Sequence, residues 1–196
     1  MKKNKKKKST VDYNWILKIV LSSFLISIVF TLISETAIPK VGIILGITIT
    51  LIFILIGVIF DMIGIAVATA DEAQFHSMAT KRIKGAKMGI RLKRNAPKVS
   101  SFCNDVVGDI CGIVSGSTGA VIAIKIVDIY NFNSLIVTLL IMGIISALTI
   151  GGKALEKGYA MKKSNNILFG FAKVLSVFSK EWGGKWKIRG LHLLKF

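Results

Sequence analysis

Three aspartates, Asp61, Asp105 and Asp109, stand in or beside stretches of sequence that are otherwise almost free of charge. The hydrocarbon core of a bilayer is about 30 Å thick, and a helix crosses it in about 20 residues. Counting that many residues forward from Val41 reaches Asp61, and counting back from Lys125 reaches Asp105, with Asp109 one turn deeper. The spacing therefore predicts three carboxylates at a similar depth, near one boundary of a membrane.

Carboxylates at this depth could bind a hard cation, because Mg²⁺ prefers oxygen ligands. Acids inside a membrane usually line a pathway or a polar cavity. We therefore take Asp61, Asp105 and Asp109 as candidate metal-binding residues, with Mg²⁺ as the bound or transported ion and no other cofactor indicated. The spacing fits a second interpretation equally well, in which all three side chains are solvated among the lipid headgroups.

A repeated spacing of glycines accompanies two of these aspartates. Gly108, Gly112 and Gly116 recur at four-residue intervals, which lets the backbone of a second helix approach closely. On an α-helix Asp105 and Asp109 flank the same face. The pattern predicts that these glycines mediate helix packing and that the two carboxylates point at a helix contact rather than at lipid.

The elements that must position these residues are long apolar stretches. Hydrophobic residues make up 53% of the 196 residues and the mean hydropathy is +0.65, yet the formal net charge is +17. Apolar runs predict an all-α integral membrane protein of about four transmembrane helices, an N-terminal one over 14–34 and others over about 41–68, 99–126 and 134–152. No small-residue cleavage site follows the first run, which favours a retained span over a signal peptide.

Basic residues are gathered into three segments that alternation of the four spans would place on one side. Of the 27 lysines and arginines, six lie in residues 2–8, eight in 81–98 and ten in 153–195. The positive-inside rule then predicts a plasma-membrane protein with both termini in the cytoplasm. The polybasic tail over 1–13 and the Trp-containing tail over 180–196 are expected to contact anionic lipid headgroups; nucleic-acid binding is disfavoured beside four spans.

Basic amphipathic juxtamembrane helices are predicted over 69–95 and 153–179. In the first, apolar residues recur at helical spacing, and Thr69 with Glu72 resembles a capping box. This segment is either one amphipathic helix or a pair of short ones bent near Gly85. Such helices either lie in the interface or pack against the spans, and the sequence leaves this open.

The sequence gives little support to an enzyme. No nucleophile–base pair or phosphate-binding glycine loop is evident. Cys103 and Cys111 fall about 12 Å apart along one helix, too far for a disulfide. Glu72 and His76 lie four residues apart, which is typical of an exposed side-chain pair.

Residues 52–179 resemble the transmembrane domain of the CorB/CorC/CNNM family of magnesium transporters. The resemblance rests on the order and spacing of four segments: Ile65 to Ala68, Lys81 to Pro97, Val107 to Asp109, and Gly152 to Asn165. It implies a Mg²⁺-transporting domain preceded by one additional span, a homodimer, and a CBS-containing partner protein. Lys153 stands where the resembling family keeps a glutamate, and Ile63 and Gly64 stand at its Ser-Glu positions.

Two functions follow from these patterns. The first is a divalent-cation transporter that uses Asp61, Asp105 and Asp109 as its acidic site. The alternative is a non-transporting membrane scaffold or regulatory partner of the same fold, which acts through its glycine face and basic helices. A membrane-disrupting cationic protein is disfavoured, because disruption needs neither four spans nor carboxylates within them.

Overall fold

The computed structural model describes residues 13–37 and 40–181, and throughout these residues the chain is helical with short turns and no strand. The helices are α1 (Tyr13–Ala37), α2 (Ile43–Thr69), α3 (Glu72–Thr80), α4 (Ala86–Arg94), α5 (Ala96–Ser101), a π-helical segment (Phe102–Gly108), α6 (Asp109–Tyr130), α7 (Ser134–Lys162) and α8 (Ser164–Glu181). The predicted all-α fold class is confirmed. Nearly all of the polybasic N-terminal tail and the Trp-containing C-terminal tail lie outside the described residues.

Four helical stretches are long and apolar enough to cross a membrane: Tyr13–Thr36, Ile43–Thr69, Ala96–Tyr130 and Ser134–Lys162. The protein is therefore a multi-pass membrane protein, as the apolar runs predict. The third stretch is continuous, because α5, the π-helical segment and α6 follow one another without a break. The fourth is longer than its uncharged run, since α7 continues ten residues past Gly152 before the chain turns at Lys163.

Helix α2 lies at the centre of the bundle and packs against α6, α7 and the π-helical segment. Its buried residues recur every three or four positions along one face: Gly46, Thr50, Ile54, Gly57, Asp61 and Gly64. Lipid tails are as apolar as leucine, so helices in a bilayer associate by close packing rather than by the hydrophobic effect. Glycines on this face permit that packing, as at Gly57, where an added Cβ would lie 3.1 Å from the Cβ of Cys111.

Helix α1 lies against the outside of this group, chiefly along α6. A buried hydrogen bond of 2.6 Å joins the hydroxyls of Ser34 and Thr118. The ring of Phe30 packs edge-on against that of Phe53 in α2, at a centroid distance of 6.1 Å. Most apolar side chains of α1 remain exposed, as expected of a helix whose remaining surface faces lipid.

The short helices α3, α4 and α5, together with α8, pack where α2 and α7 end. A buried apolar cluster joins them to α2: Val67, Ala70, Phe75, Val99, Cys103 and Leu168. The Nζ of Lys93 donates hydrogen bonds to the carbonyls of Val67 at 3.3 Å and Ala68 at 2.7 Å. A cation that bonds these last carbonyls stabilises the C-terminus of a helix. The juxtamembrane helices therefore pack on the spans, which is one of the two arrangements that the sequence leaves open.

Of the two forms that the sequence allows for this segment, the structure has the pair of short helices, α3 and α4, with the bend near Gly85. Gly85 is needed at that bend. Its φ of +91° is rare for residues with a side chain, and an added Cβ would lie 3.1 Å from the backbone of Lys173 in α8. The capping box predicted for Thr69 and Glu72 is wrong. The N-cap of α3 is Asp71, whose side chain accepts from the amide of Ala73, while the Thr69 hydroxyl donates to the carbonyl of Ile65. Asp71 directly precedes α3, so its short side chain can reach a free amide of the first turn, whereas Thr69 lies two residues further from the start of the helix.

Candidate functional site

Asp61 is buried inside the bundle, with 7% of its surface exposed. It lies on the central face of α2, opposite the point where the π-helical segment meets α6. An added Cβ at Gly108 would lie 2.6 Å from Oδ1 of Asp61, so glycine at 108 makes room for the carboxylate. The same position is one of the three glycines that the sequence assigns to helix packing.

The ammonium of Lys153 neutralises this carboxylate. Its Nζ lies 2.7 Å from Oδ2 of Asp61 and 3.9 Å from Oδ1 of Asp109. One α7 side chain thus joins a carboxylate of α2 to a carboxylate of α6. An ionised side chain inside a membrane is costly and is usually paired, as it is here. The two acids differ in exposure, since 10% of the Asp61 side chain is exposed but 67% of that of Asp109.

Glu156 lies one turn beyond Lys153 on α7 and is also buried, at 7% exposure. It is close enough to Asp61 and Lys153 to interact electrostatically with both. By distance and angle, neither carboxyl oxygen has a hydrogen-bond partner among the described residues, although the Met62 backbone lies close enough to interact with the group. Buried polar atoms are nearly always bonded, so this carboxyl group needs an explanation. We call the four residues Asp61, Asp109, Lys153 and Glu156 the three-helix junction.

Asn104, in the π-helical segment, contributes a second buried oxygen without a partner in the described residues. Its amide packs directly on Gly64, where an added Cβ would lie 1.7 Å from the Asn104 Oδ1. Gly64 stands one turn beyond Asp61 on the same face of α2. The face of α2 that carries Asp61 therefore also contacts, at Gly64, the amide oxygen of Asn104.

Asp105 lies outside the junction. Its carboxylate accepts a hydrogen bond from the Ser101 hydroxyl. It lines an open pocket of about 300 Å³ with Ala68, Ala96, Pro97, Ser100, Ser101 and Asn104. Asp105 lies within the π-helical segment, Phe102–Gly108, and Asp109 begins α6 directly after it.

The three predicted metal-binding residues are thus only partly brought together. Asp61 and Asp109 share Lys153, whereas Asp105 bonds Ser101. Within the described part of the chain, no three side chains of the His, Cys, Asp or Glu type are gathered closely enough to hold a metal ion. As the side chains stand, the ammonium of Lys153 takes the place that a cation at Asp61 would need. Cation binding by Asp61, Asp105 and Asp109 stays a prediction.

The predicted glycine face divides in the structure. Gly108 packs on Asp61, but no atom lies within 4 Å of the Cβ that Gly112 or Gly116 would carry. Gly119 packs on Ile145 of α7 instead, and Gly152 packs on Val58 of α2. A packing role for Gly112 and Gly116 stays a prediction.

Glu72 forms an exposed group with Arg94 and His76 outside the spans. Its Oε1 accepts from Nε of Arg94 at 2.9 Å and lies 3.0 Å from Nε2 of His76. The hydrogen bond from Arg94, reinforced by that from His76, lowers the pKa of the Glu72 carboxyl below its usual value. The exposed pair predicted for Glu72 and His76 is confirmed. Cys103 and Cys111 are both free, as their separation along one helix predicts, and both are buried.

The sequence alone does not identify Glu156 or Asn104 as residues of the site. The uncharged run ends at Gly152, which assigns Glu156 to a juxtamembrane segment rather than to the span that contains it. One signal was present: Lys153 and Glu156 are three residues apart, so any helix through both places them on one face. Nothing in the local sequence marks Asn104, because its environment depends on the absence of a side chain at Gly64.

Comparison of the chain with protein-family models, with curated proteins and with solved structures finds no match. The resemblance to the CorB/CorC/CNNM family therefore stays a prediction from the motifs. What the structure establishes is a multi-pass membrane protein with a buried, charged contact among three of its spans.

Proposed function

We propose that this protein transports a small divalent cation of the Mg²⁺ type and that the three-helix junction is its ion site. The observation that carries the proposal is the buried Asp61 carboxylate, within a membrane span, whose counter-ion is a side-chain ammonium 2.7 Å away. An ionisable residue at this depth is rarely tolerated without a functional role.

The charge of the junction supports a divalent ion. Asp61, Asp109 and Glu156 supply three carboxyl groups, while Lys153 supplies one ammonium. When all are ionised, two negative charges remain, and one divalent cation would balance them. Carboxylate oxygens are also the ligands that suit a hard cation. The amide oxygen of Asn104, which has no hydrogen-bond partner in the described residues, lies against Gly64, one turn beyond Asp61 on α2.

A flux measurement tests the proposal. The purified full chain is reconstituted into liposomes that contain a Mg²⁺-sensitive dye, and Mg²⁺ is added outside. We expect the wild-type protein to raise the internal signal and Asp61→Asn to reduce the initial rate to that of protein-free liposomes. Asp128→Asn is the matched control, because Asp128 is exposed near the far end of α6. A wild-type rate equal to that of protein-free liposomes would overturn the proposal.

A second candidate function is a non-transporting membrane scaffold or regulatory partner. The observation that favours it is the same ion pair, because a Lys153–Asp61 contact of 2.7 Å can act simply as a tie between α7 and α2. This candidate predicts no flux in the liposomes and a loss of thermal stability in Asp61→Asn. The flux assay therefore separates the two.

The proposal extends to the surroundings of the protein. We expect the plasma membrane as its location, both termini in the cytoplasm, a homodimer, and a CBS-containing protein as a partner. Exposed cations on the α3–α4 turn and on α4, such as Lys81, Lys84 and Lys87, suit anionic headgroups on that side. Accessibility of single cysteines to an impermeant thiol reagent in intact cells, introduced near Lys84 and near Phe132 in a Cys103→Ser, Cys111→Ser background, would test the orientation.

A further inference from the structure

Lys153 has a carboxyl group on either side of it. Asp61 of α2 holds its ammonium at 2.7 Å, and Glu156 lies three residues further along α7 itself. Glu156 is more than nine-tenths buried and both of its oxygens lack a hydrogen-bond partner in the described residues. A buried acceptor without a donor, one helical turn from a lysine, is an alternative position for that lysine's ammonium.

We propose that the ammonium of Lys153 alternates between Asp61 and Glu156 and so acts as a tethered competitor of the transported cation. With Lys153 on Asp61, the acidic site is closed. With Lys153 on Glu156, the oxygens of Asp61 and Asp109 are free to bind a small divalent cation. This inference rests on the proposed function, and it assigns to Glu156 a role that the sequence motifs do not.

The geometry allows this exchange without movement of the helices. Side chains three residues apart on a helix have Cβ atoms roughly 5–6 Å apart, within reach of the flexible four-carbon stem of lysine. The Lys153 side chain is 32% exposed, so it is not locked in place by packing on all sides. A change of side-chain rotamer is therefore sufficient to move the ammonium from one carboxylate to the other.

The energetics favour two positions of the Lys153 ammonium, one at Asp61 and one at Glu156, over a single position. While Lys153 pairs with Asp61, Glu156 is buried without a partner, which is costly for a polar group. When a divalent cation takes Asp61 and Asp109, Lys153 can pair with Glu156 instead. All three carboxylates of the junction are then balanced by one ammonium and one divalent ion. A monovalent ion would leave one negative charge unbalanced.

A double-mutant cycle on thermal stability tests the exchange without any cation. The full chain is purified in detergent, in a metal-free buffer, as wild type, Asp61→Asn, Glu156→Gln and the double variant. If Lys153 can use either carboxylate, Asp61→Asn is buffered by Glu156. We therefore expect the fall in Tm caused by Asp61→Asn to be at least twice as large in the Glu156→Gln background. In a Lys153→Gln background that difference should vanish.

Several outcomes of the cycle decide the question. Additive effects of Asp61→Asn and Glu156→Gln would overturn the exchange. So would a failure of Asp61→Asn alone to fold, because Glu156 would then not have accepted the ammonium. A double variant that fails to fold while both single variants fold supports it. Glu35→Gln, at an exposed position on α1, is the control for removing a glutamate charge and should leave the effect of Asp61→Asn unchanged.

The Mg²⁺ dependence of Tm then separates this inference from the proposed function. Lys153→Gln should lower the MgCl₂ concentration at half-maximal stabilisation by roughly tenfold, and Glu156→Gln should raise it by roughly tenfold, because the ammonium then has no other partner. Absence of a Mg²⁺ effect in every variant, Lys153→Gln included, would overturn the proposed function, while the cycle still decides the exchange. A normal Mg²⁺ effect in Glu156→Gln with an additive cycle would overturn the exchange alone.

Discussion

Two ion pairs of similar length lie in very different parts of this molecule. In the three-helix junction, Nζ of Lys153 lies 2.7 Å from Asp61; at the α3–α4 hairpin, Nε of Arg94 lies 2.9 Å from Glu72. The Asp61 side chain is 10% exposed and that of Lys153 32%, whereas Glu72 and Arg94 are 37% and 62% exposed. The two pairs thus differ in their surroundings far more than in their geometry.

The difference shows that burial decides what an ion pair contributes. An exposed pair exchanges its contact for water at little cost, and its net contribution to stability is small. A buried pair cannot make that exchange, so removal of one partner leaves a charge with neither water nor a counter-ion. The hairpin pair therefore adjusts how two short helices pack, while the junction pair constrains how three spans fit together.

The largest expected effect is that of breaking the junction pair. Lys153→Gln leaves the buried Asp61 and Glu156 without a cation, and we expect a loss of about 3–5 kcal/mol in the free energy of unfolding. For a chain of this size that corresponds to a fall in Tm of roughly 10 °C or more, measured on purified protein without divalent cations.

The neighbouring Lys157 provides a matched control for that variant. It is exposed on the same helix, so Lys157→Gln should change Tm little. Removing both partners, in Asp61→Asn/Lys153→Gln, should recover part of the loss, because Asp61 then carries no buried charge and only Glu156 remains without a cation. Equal effects of Lys153→Gln and Lys157→Gln would contradict the distinction drawn between the two ion pairs.

A smaller effect is expected from filling the space beside the junction. An alanine Cβ at 64 would lie 1.7 Å from Oδ1 of Asn104 and 3.1 Å from the carbonyl oxygen of Ser100. Because the Asn104 side chain would have to leave its position, Gly64→Ala should cost about 1–3 kcal/mol, seen as a fall in Tm. Truncation in Gly64→Ala/Asn104→Ala should restore part of the loss.

Gly112→Ala is the comparison that sharpens this prediction. No atom lies within 4 Å of the added methyl group, and alanine favours a helix over glycine by about 1 kcal/mol. Within a single chain the substitution should therefore be neutral or stabilising. If Gly112→Ala instead lowers Tm as much as Gly64→Ala, a second chain packs on that face, which is the packing role that the glycine spacing predicts.

The architecture could be read from the sequence because its signals are long. Four apolar runs, each near the length that spans a bilayer, predict the four spans, and Gly85 predicts the bend of the hairpin that follows α2. Such signals sum over many residues or reflect a strong backbone preference, so local context does not override them.

The site could be read only in part, because it depends on how different helices meet. The depth count identifies Asp61 and Asp109 but gives no indication that Lys153 reaches both. The count also groups Asp105 with them, but it does not indicate that the Asp105 carboxylate accepts a hydrogen bond from Ser101. Glu156 is missed because charges at its helix end suggest a surface segment, although the fold buries it. What the sequence does not indicate is in each case a side-chain contact, whereas the helices that carry these residues are predicted.

The smallest effect is expected at the hairpin pair, and it depends on pH. The hydrogen bond from Arg94 lowers the pKa of Glu72 in the folded state below its ordinary value of 4.5. A carboxyl group of this kind contributes stability above its unfolded pKa and loses that contribution as the pH falls through its folded pKa. The Tm difference between wild type and Arg94→Gln should therefore be small, fully present above the ordinary carboxyl pKa of 4.5, and should decline as the pH falls from there through the lower pKa of folded Glu72. Lys87→Gln, which removes an exposed cation from the same helix, should show no such pH dependence. A Tm difference for Arg94→Gln that persists under acid would mean that Arg94 contributes to stability independently of the Glu72 charge. A difference as large as that of Lys153→Gln would mean that burial is not what separates the two ion pairs.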